Sequence, residues 1–425
     1  MSLKNKPTGL LSIAILGSGN VIGTVISAIA LILFSRFMGP TEFGLFSAAF
    51  AAMQIVVRLS DLGTNMAAER AIARVYVQDS ELSDRLMRVA LWFKLSSFAL
   101  CAILGWLLAP WIATSLLHIG SVALLRTALV LALSTIFFEY STIVFQSTHR
   151  FAMVARITIA QALGKLLFGV ILIWQGMLHA TEGLLVYGLL PGLGALFGWK
   201  RGTLSSFTLP VTWKKDLQAI LSVAKWTAIA AISATLADNI DTLLVQSFMS
   251  SYDTGIWSGA VRIATFASVL GWSVGSVLNV RVARYASPSH LKEYLSKAWK
   301  LSLFILFALI LATPFAGLAI RLTIGSAYLA GTLPLQILIL AAGLAGAATP
   351  FVALFYLFDR PQYYAIAGII QTVVLVLGDL IFIPRLGLVG SAWVRVVVRL
   401  VILVFTLLYA RRAYVWHFRP HDRQK

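Results

Sequence analysis

The sequence is poor in charge and nearly devoid of cysteine. Its 425 residues include a single cysteine, Cys101, so no disulfide can form within the chain. Charged residues make up 12%, about half the usual share of roughly 25% in a soluble domain. The deficit runs along the whole length, and no stretch is long enough for a separate soluble domain. A catalytic domain of the soluble kind is therefore excluded, and so is a basic nucleic-acid-binding domain, despite a net charge of +18. Period-2 alternation is missing from runs such as Val25 to Phe34, which excludes a transmembrane barrel. The six histidines show no ligand spacing. His290 with Glu293, one His and one Glu in a charged loop, does not make a metal site, so neither metal nor cofactor is expected.

Apolar runs fill the rest. Hydrophobic residues reach 59% and the mean hydropathy is +0.88. Runs of about 20 apolar residues cross a bilayer as helices, because lipid offers the backbone no hydrogen-bond partners. The pattern predicts twelve spans, near 10–34, 43–59, 87–112, 122–146, 153–175, 183–199, 219–248, 255–280, 299–320, 333–357, 363–383 and 388–410. The first run, Leu10 to Phe34, is too long for the core of a cleavable signal peptide and reads as a span. The mixed segment from Asp61 to Arg88 reads as a short interfacial helix on the cytoplasmic face.

Lys and Arg orient these spans. With the N-terminus inside, 22 of the 34 basic residues fall in cytoplasmic segments, and three, Arg36, Arg321 and Arg385, fall outside. That asymmetry predicts a multi-pass inner-membrane protein with both termini in the cytoplasm.

The chain also repeats. Phe37-Met38-Gly39-Pro40-Thr41-Glu42-Phe43-Gly44-Leu45-Phe46-Ser47 is echoed by Phe248-Met249-Ser250-Ser251-Tyr252-Asp253-Thr254-Gly255-Ile256-Trp257-Ser258, at an offset of 211 residues. Arg150 and Gln161 match Arg360 and Gln371 at an offset of 210, and Gly183 falls near Gly390 in a similar context. Two halves of six helices follow, 1–210 and 211–425. An even helix number per half makes the repeat parallel. The expected fold is an all-α integral membrane protein of about twelve transmembrane helices, in two parallel six-helix lobes around a central cleft. Such lobes suit a transporter.

Charges inside spans are costly, about 2.5–3.5 kcal/mol each at the bilayer centre, and mark function. The basic ones are Arg58, Lys94, Arg126, Lys165, Lys225, Arg262, Arg395 and Arg399; the acids are Glu139, Asp238, Asp241 and Asp379. Arg58, Arg126 and Lys225 lie within about two turns of a span end and can snorkel to the interface, Arg58 being the foremost exception. Lys165 is about 20 Å into its span and Arg262 about 10 Å. Arg395 and Arg399 share one helix face, where like charges repel unless something anionic lies beside them. Arg58, Lys165, Arg262, Arg395 and Arg399 are therefore the candidate cavity residues for an anionic headgroup. Asp238 and Asp241 also share a face. They bind a coupling cation or proton, or they neutralise Arg262 on the next helix; the ion pair is the favoured reading.

Two glycine patterns have a packing explanation. Gly17-Ser18-Gly19 with Gly23 resembles a nucleotide loop, but no strand precedes it. Gly19 with Gly23, and Gly271 with Gly275, are small-xxx-small pairs that let helices approach.

The stretch Leu31 to Phe46, followed by Leu59-Ser60-Asp61-Leu62-Gly63 and Glu69-Arg70, resembles the opening of the polysaccharide transporter branch of the multidrug/oligosaccharidyl-lipid/polysaccharide flippase superfamily. Arg36, Gly39, Pro40, Glu42, Gly44, Asp61 and Gly63 carry its turn motifs. The resemblance implies a non-enzymatic flippase that moves undecaprenyl-pyrophosphate-linked oligosaccharide from the cytoplasmic to the periplasmic leaflet by alternating access. Its implied partners are that lipid-linked oligosaccharide, membrane lipid and other polysaccharide-assembly membrane proteins. An ion-coupled multidrug or toxin antiporter of the same superfamily is the alternative. It fits less well, since no acid precedes Asp61 within the first spans.

Overall fold

The computed structural model describes residues 9–199, 208–282, 288–357 and 362–417. Regular structure among them is entirely helical: α1 (Gly9–Asp61), α2 (Thr64–Val75), α3 (Ser80–Trp111), α4 (Val122–Ser147), α5 (Phe151–Trp174), α6 (Ala180–Trp199), α7 (Trp213–Phe248), α8 (Ser251–Val282), α9 (Pro288–Ala312), α10 (Ala316–Thr323), α11 (Thr332–Leu357) and α12 (Gln362–His417). Among the described residues, eight helices are long and apolar enough to cross a bilayer. Two of them are double.

α1 turns at Gly39, with φ 74° and ψ 170°, and α12 turns at Gly387, with φ 58° and ψ −140°. A straight helix would hold Phe34 and Phe46 about 18 Å apart, yet their ring centroids are 6.2 Å apart. In the same way a Cβ on Gly378 would lie 2.7 Å from Val394, sixteen residues on. Each long helix is therefore a hairpin of two crossings. With α6 and α8 the total is the expected twelve.

The Gly39 backbone conformation is one that essentially only glycine adopts. Pro40 follows it and opens the second arm with a fixed φ. The expected span 299–320 is interrupted. A 3-10 turn at Thr313–Phe315 separates α9 from α10, because Pro314 has no N–H to continue the ladder.

The chain forms two compact units, Met1–Thr235 and Leu236–Lys425. Their boundary falls inside α7, because the first part of that helix packs within the first unit. Ile220 and Ala224 join a buried cluster with Ala67, Ala68 and Ile72 of α2 and with Leu86, Ala90 and Leu91 of α3. α2 falls in the segment expected to be interfacial and is two-faced: those three residues are buried while Met66 and Arg70 are exposed. Many large apolar side chains are exposed, as lipid-facing surfaces require; Leu100, Ile103, Leu104 and Leu107 make such a face on α3.

Close helix contacts sit where small residues allow them. Gly19 rests on Ala155 and Gly23 on Thr158, which seats the first arm of α1 against α5. The other pair, Gly271 and Gly275, lies outside the described surroundings, as do Lys225, His290 and Glu293. Gly63 has φ 73°, and a Cβ there would press on the backbone of Ala228. Gly63→Ala is therefore expected to lower stability by about 1–3 kcal/mol, from backbone strain and overpacking. Thermal unfolding in mild detergent measures this, and an unchanged midpoint would contradict the close approach.

The repeat is visible in packing. Met38 at the α1 turn packs on Gly183 of α6, and Met249 at the end of α7 lies 3.2 Å from a Cβ position on Gly387. Each half thus seats the methionine of its Phe-Met turn on a glycine of a later helix.

Candidate substrate site

In the first unit the turn motif has structural duties. Glu42 Oε2 accepts the backbone N–H of Ala180 at 2.8 Å and caps the N-terminus of α6. Gly44 is buried beside Phe43, and Arg36 is exposed at the end of the first arm of α1. Asp61 Oδ1 accepts the backbone N–H of Asn65 at 3.0 Å and the Thr64 hydroxyl at 3.2 Å, so it caps α2.

Asp61 also belongs to an ion network. Arg58 lies 3.5 Å from Asp61 and 3.4 Å from Glu139. Lys94 lies 3.3 Å from Asp61 and 3.6 Å from Glu139. Asn65 donates to Glu139 at 2.8 Å and accepts from Lys94. Arg58 Nε donates to Thr235 at 3.2 Å. Two cations meet two carboxylates, so the network is neutral. Arg58, expected as a headgroup ligand, is held in this network; the sequence offered Lys94 and Glu139 only as separate intramembrane charges and Asp61 as a motif residue.

Lys165 differs. Its ammonium lies 4.9 Å from the centre of the Tyr187 ring, a cation–π arrangement. Tyr187 is oriented by donating its hydroxyl to the Ser27 carbonyl at 3.0 Å, and its ring packs edge-on against Phe34, Phe46 and Phe50. No carboxylate among the described residues forms an ion pair with Lys165.

In the second unit α12 gathers the charge. Arg395 Nε donates to Asp241 Oδ2 at 2.6 Å, and Nη2 pairs with the same oxygen. The guanidinium also lies 5.6 Å from the ring of buried Trp257. Asp241 thus takes Arg395 as partner rather than Arg262, because α12 folds back against α7. Asp238, one turn earlier on α7, is exposed and stands within Coulombic reach of Arg395, Arg399 and Arg262. Arg399 donates to Gln371 Oε1 at 3.2 Å. Asp241 and Gln371 thereby relieve the repulsion between the two arginines. Gln371 was marked only as a repeat position.

Both arginines line a pocket of about 50 Å³ between α8, α11 and α12. Its other walls are small or apolar, with Thr265 the one hydroxyl among them. By volume it holds about three to five waters, the room needed for a phosphate-sized or carboxylate-sized group. Arg395 and Arg399 are the arginines suited to such a group by charge and fork geometry.

The profile of one family, described as polysaccharide biosynthesis protein, matches residues 10–279. The chain belongs to the polysaccharide biosynthesis protein family. A search of curated protein sequences finds no match. Among solved structures, this family member is similar to a lipid II flippase, MurJ, in an inward closed conformation (14% identity, TM-score 0.73, covering 96% of this chain and 89% of that one). It is also similar to an inward-facing multidrug resistance MATE transporter of the MOP superfamily (16% identity, TM-score 0.75, covering 95% and 98%). A third is a MOP superfamily transporter from Pyrococcus furiosus, described as having a binding pocket of reverse polarity (19% identity, TM-score 0.62, covering 96% of each chain). At these identities the likeness is one of fold: this member of the polysaccharide biosynthesis protein family has the MOP transporter architecture.

Proposed function

We propose that the protein is a flippase that moves undecaprenyl-pyrophosphate-linked oligosaccharide from the cytoplasmic to the periplasmic leaflet of a bacterial inner membrane. Both termini are cytoplasmic, and alternating access of two six-helix halves, 1–210 and 211–425, drives the movement. The product feeds surface polysaccharide synthesis, as O-antigen, capsule or exopolysaccharide, with other polysaccharide-assembly membrane proteins downstream. The protein carries its cargo and does not transform it.

The observation that supports this most is the basic lining of the membrane interior. Lys165 has no carboxylate partner among the described residues, and Arg395 and Arg399 face one pocket. Cations in lipid-depth surroundings are retained where an anion visits them. A pyrophosphate brings two phosphoryl groups for arginine forks. A polyprenyl tail stays in the bilayer while the hydrated glycan needs a wet path. Family membership and a fold shared with a lipid II flippase agree with this reading.

Lys165→Met and Arg399→Gln are each expected to lower surface polysaccharide at least about tenfold, on the scale of one lost charged hydrogen bond, with undecaprenyl-linked glycan accumulating inside. Immunoblotting must show normal protein levels. Undiminished export in both variants would sink the basic-site mechanism. The second reading, an ion-coupled multidrug or toxin antiporter, is favoured by the fold shared with MATE transporters. It predicts raised resistance to cationic drugs on expression, which a basic interior disfavours.

A further inference from the structure

The segment that leads into α7 turns its apolar side chains outward. Val211 is 100% exposed, Leu209 45% and Trp213 36%. Lys214 and Lys215 follow and are exposed as well. The Lys214 ammonium lies 5.7 Å from the centre of the Trp213 ring. Neither lysine forms an ion pair among the described residues. The segment is nevertheless tied down. The Trp213 backbone N–H donates to the Pro210 carbonyl at 3.1 Å, and the Thr212 hydroxyl donates to Asp216 Oδ2 at 2.8 Å. Two arginines of α3 hold it from the side: Arg88 donates to the Thr208 hydroxyl at 3.5 Å, and Arg85 Nε stands 3.7 Å from Asp216. Further along α7, Ile220 and Ala224 are buried against α2 and α3. The acid nearest the two lysines, Asp216, is thus already answered by Arg85.

α3 gives the depth of this turn. The apolar run of α3 begins near Met87, which puts Arg85 about 3 Å outside the hydrocarbon by helix rise. Asp216 meets Arg85 there, and Trp213 lies less than one turn further out on α7. The headgroup layer is about 5–8 Å thick on each side of a bilayer, so the turn falls within it. A rigid turn that aims apolar side chains into water forgoes their burial. At the boundary of headgroups and acyl chains the same side chains are buried. Tryptophan favours that boundary, and lysines there attract anionic lipid, each by about fivefold in partitioning.

We propose that segment 209–215 is a bilayer anchor for anionic phospholipid. Leu209, Val211 and Trp213 enter the boundary between headgroups and acyl chains, and Lys214 and Lys215 hold lipid phosphates. The leaflet is the one on the α2 side, which is the cytoplasmic leaflet in the topology proposed above. Arg85 and Arg88 fix the segment to α3, so the anchor sets the depth at which the neighbouring ends of α3 and α7 sit. The lipid composition of one leaflet thereby acts on the first unit. The anchor stands whether the cargo is a lipid-linked glycan or a drug.

The test is spin-label accessibility in the full-length protein. Val211→Cys is made with Cys101→Ala, which removes the chain's one native cysteine, and carries a nitroxide at a fully exposed position that no packing depends on. The protein is placed in nanodiscs of phosphatidylcholine, with and without one-third phosphatidylglycerol. Relaxation by oxygen, which concentrates in lipid, is compared with relaxation by a neutral nickel chelate, which stays in water. With phosphatidylglycerol the label is expected to shift towards oxygen, and high salt is expected to reverse part of the shift. Adding Lys214→Gln and Lys215→Gln should lose the phosphatidylglycerol-dependent part. A label reached mainly by the chelate in phosphatidylglycerol discs overturns the proposal, because the turn then lies in water. So does a label shielded from both reagents, which is what coverage by a protein or a second copy gives. An oxygen preference unchanged by phosphatidylglycerol or by loss of the lysines overturns it too.

Discussion

Arg395→Gln is expected to lower stability by about 3–5 kcal/mol, the usual cost of removing one partner from a buried ion pair. The cost comes from what is left behind. Asp241 is 0% exposed and takes guanidinium contacts from Arg395, and Thr242 donates to it from its backbone N–H at 2.7 Å and its hydroxyl at 3.5 Å. Glutamine fills much of the same volume but brings no charge, so the buried Asp241 carboxylate is left without its counter-ion. Asp241→Asn in the same background removes the stranded charge. The double variant is therefore expected to recover most of the loss, and a double-mutant cycle reads the coupling directly. Unfolding in mild detergent, followed by tryptophan fluorescence, measures all four proteins. Additive losses would contradict the pairing.

Lys94→Met carries the second large effect, again about 3–5 kcal/mol. Lys94 is 2% exposed and Asp61 1% exposed. Lys94 bridges Asp61, Glu139 and Asn65, which come from the end of α1, from α4 and from α2. Methionine keeps the length and packing of the stem, so the change isolates the charge. It leaves two carboxylates to one guanidinium, Arg58, and loosens the cap on α2. The exposed pair Arg85–Glu81, at 3.3 Å with Glu81 84% exposed, is the control. Glu81→Gln is expected to change stability by no more than about 0.5 kcal/mol. If the two variants unfolded alike, the network would not be what holds the ends of α1 to α4 together.

Much of this architecture is legible in the sequence because lipid imposes a simple rule on each segment separately. Span length and hydropathy located the crossings, and Gly39-Pro40 marked the turn in α1. Gly19 and Gly23 announced their packing because only small residues let helices approach that closely. Pairings between distant segments are a different matter. Arg395 and Asp241 are 154 residues apart, and nothing local chooses Arg395 over Arg262 as the partner. That choice is made by the hairpin at Gly387, which lays the second arm of α12 against α7. The motif residue Asp61 was visible as a family feature. Its role as cap and network anchor depends on Lys94 and Glu139, which lie 33 and 78 positions downstream. Asp379 offered only its depth in a span; its burial against Ser391 shows only after the two arms of α12 meet.

The central claim is transport of a lipid-linked glycan, and reconstitution tests it most directly. Purified full-length protein is placed in unilamellar liposomes carrying fluorescent undecaprenyl-pyrophosphate oligosaccharide, and a membrane-impermeant glycosidase reports glycan reaching the opposite leaflet. The account predicts protein-dependent transfer in wild type, reduced at least about tenfold in Lys165→Met, the scale of one lost charged hydrogen bond. Transfer no faster than in protein-free liposomes, with a cationic dye moved instead, would contradict it.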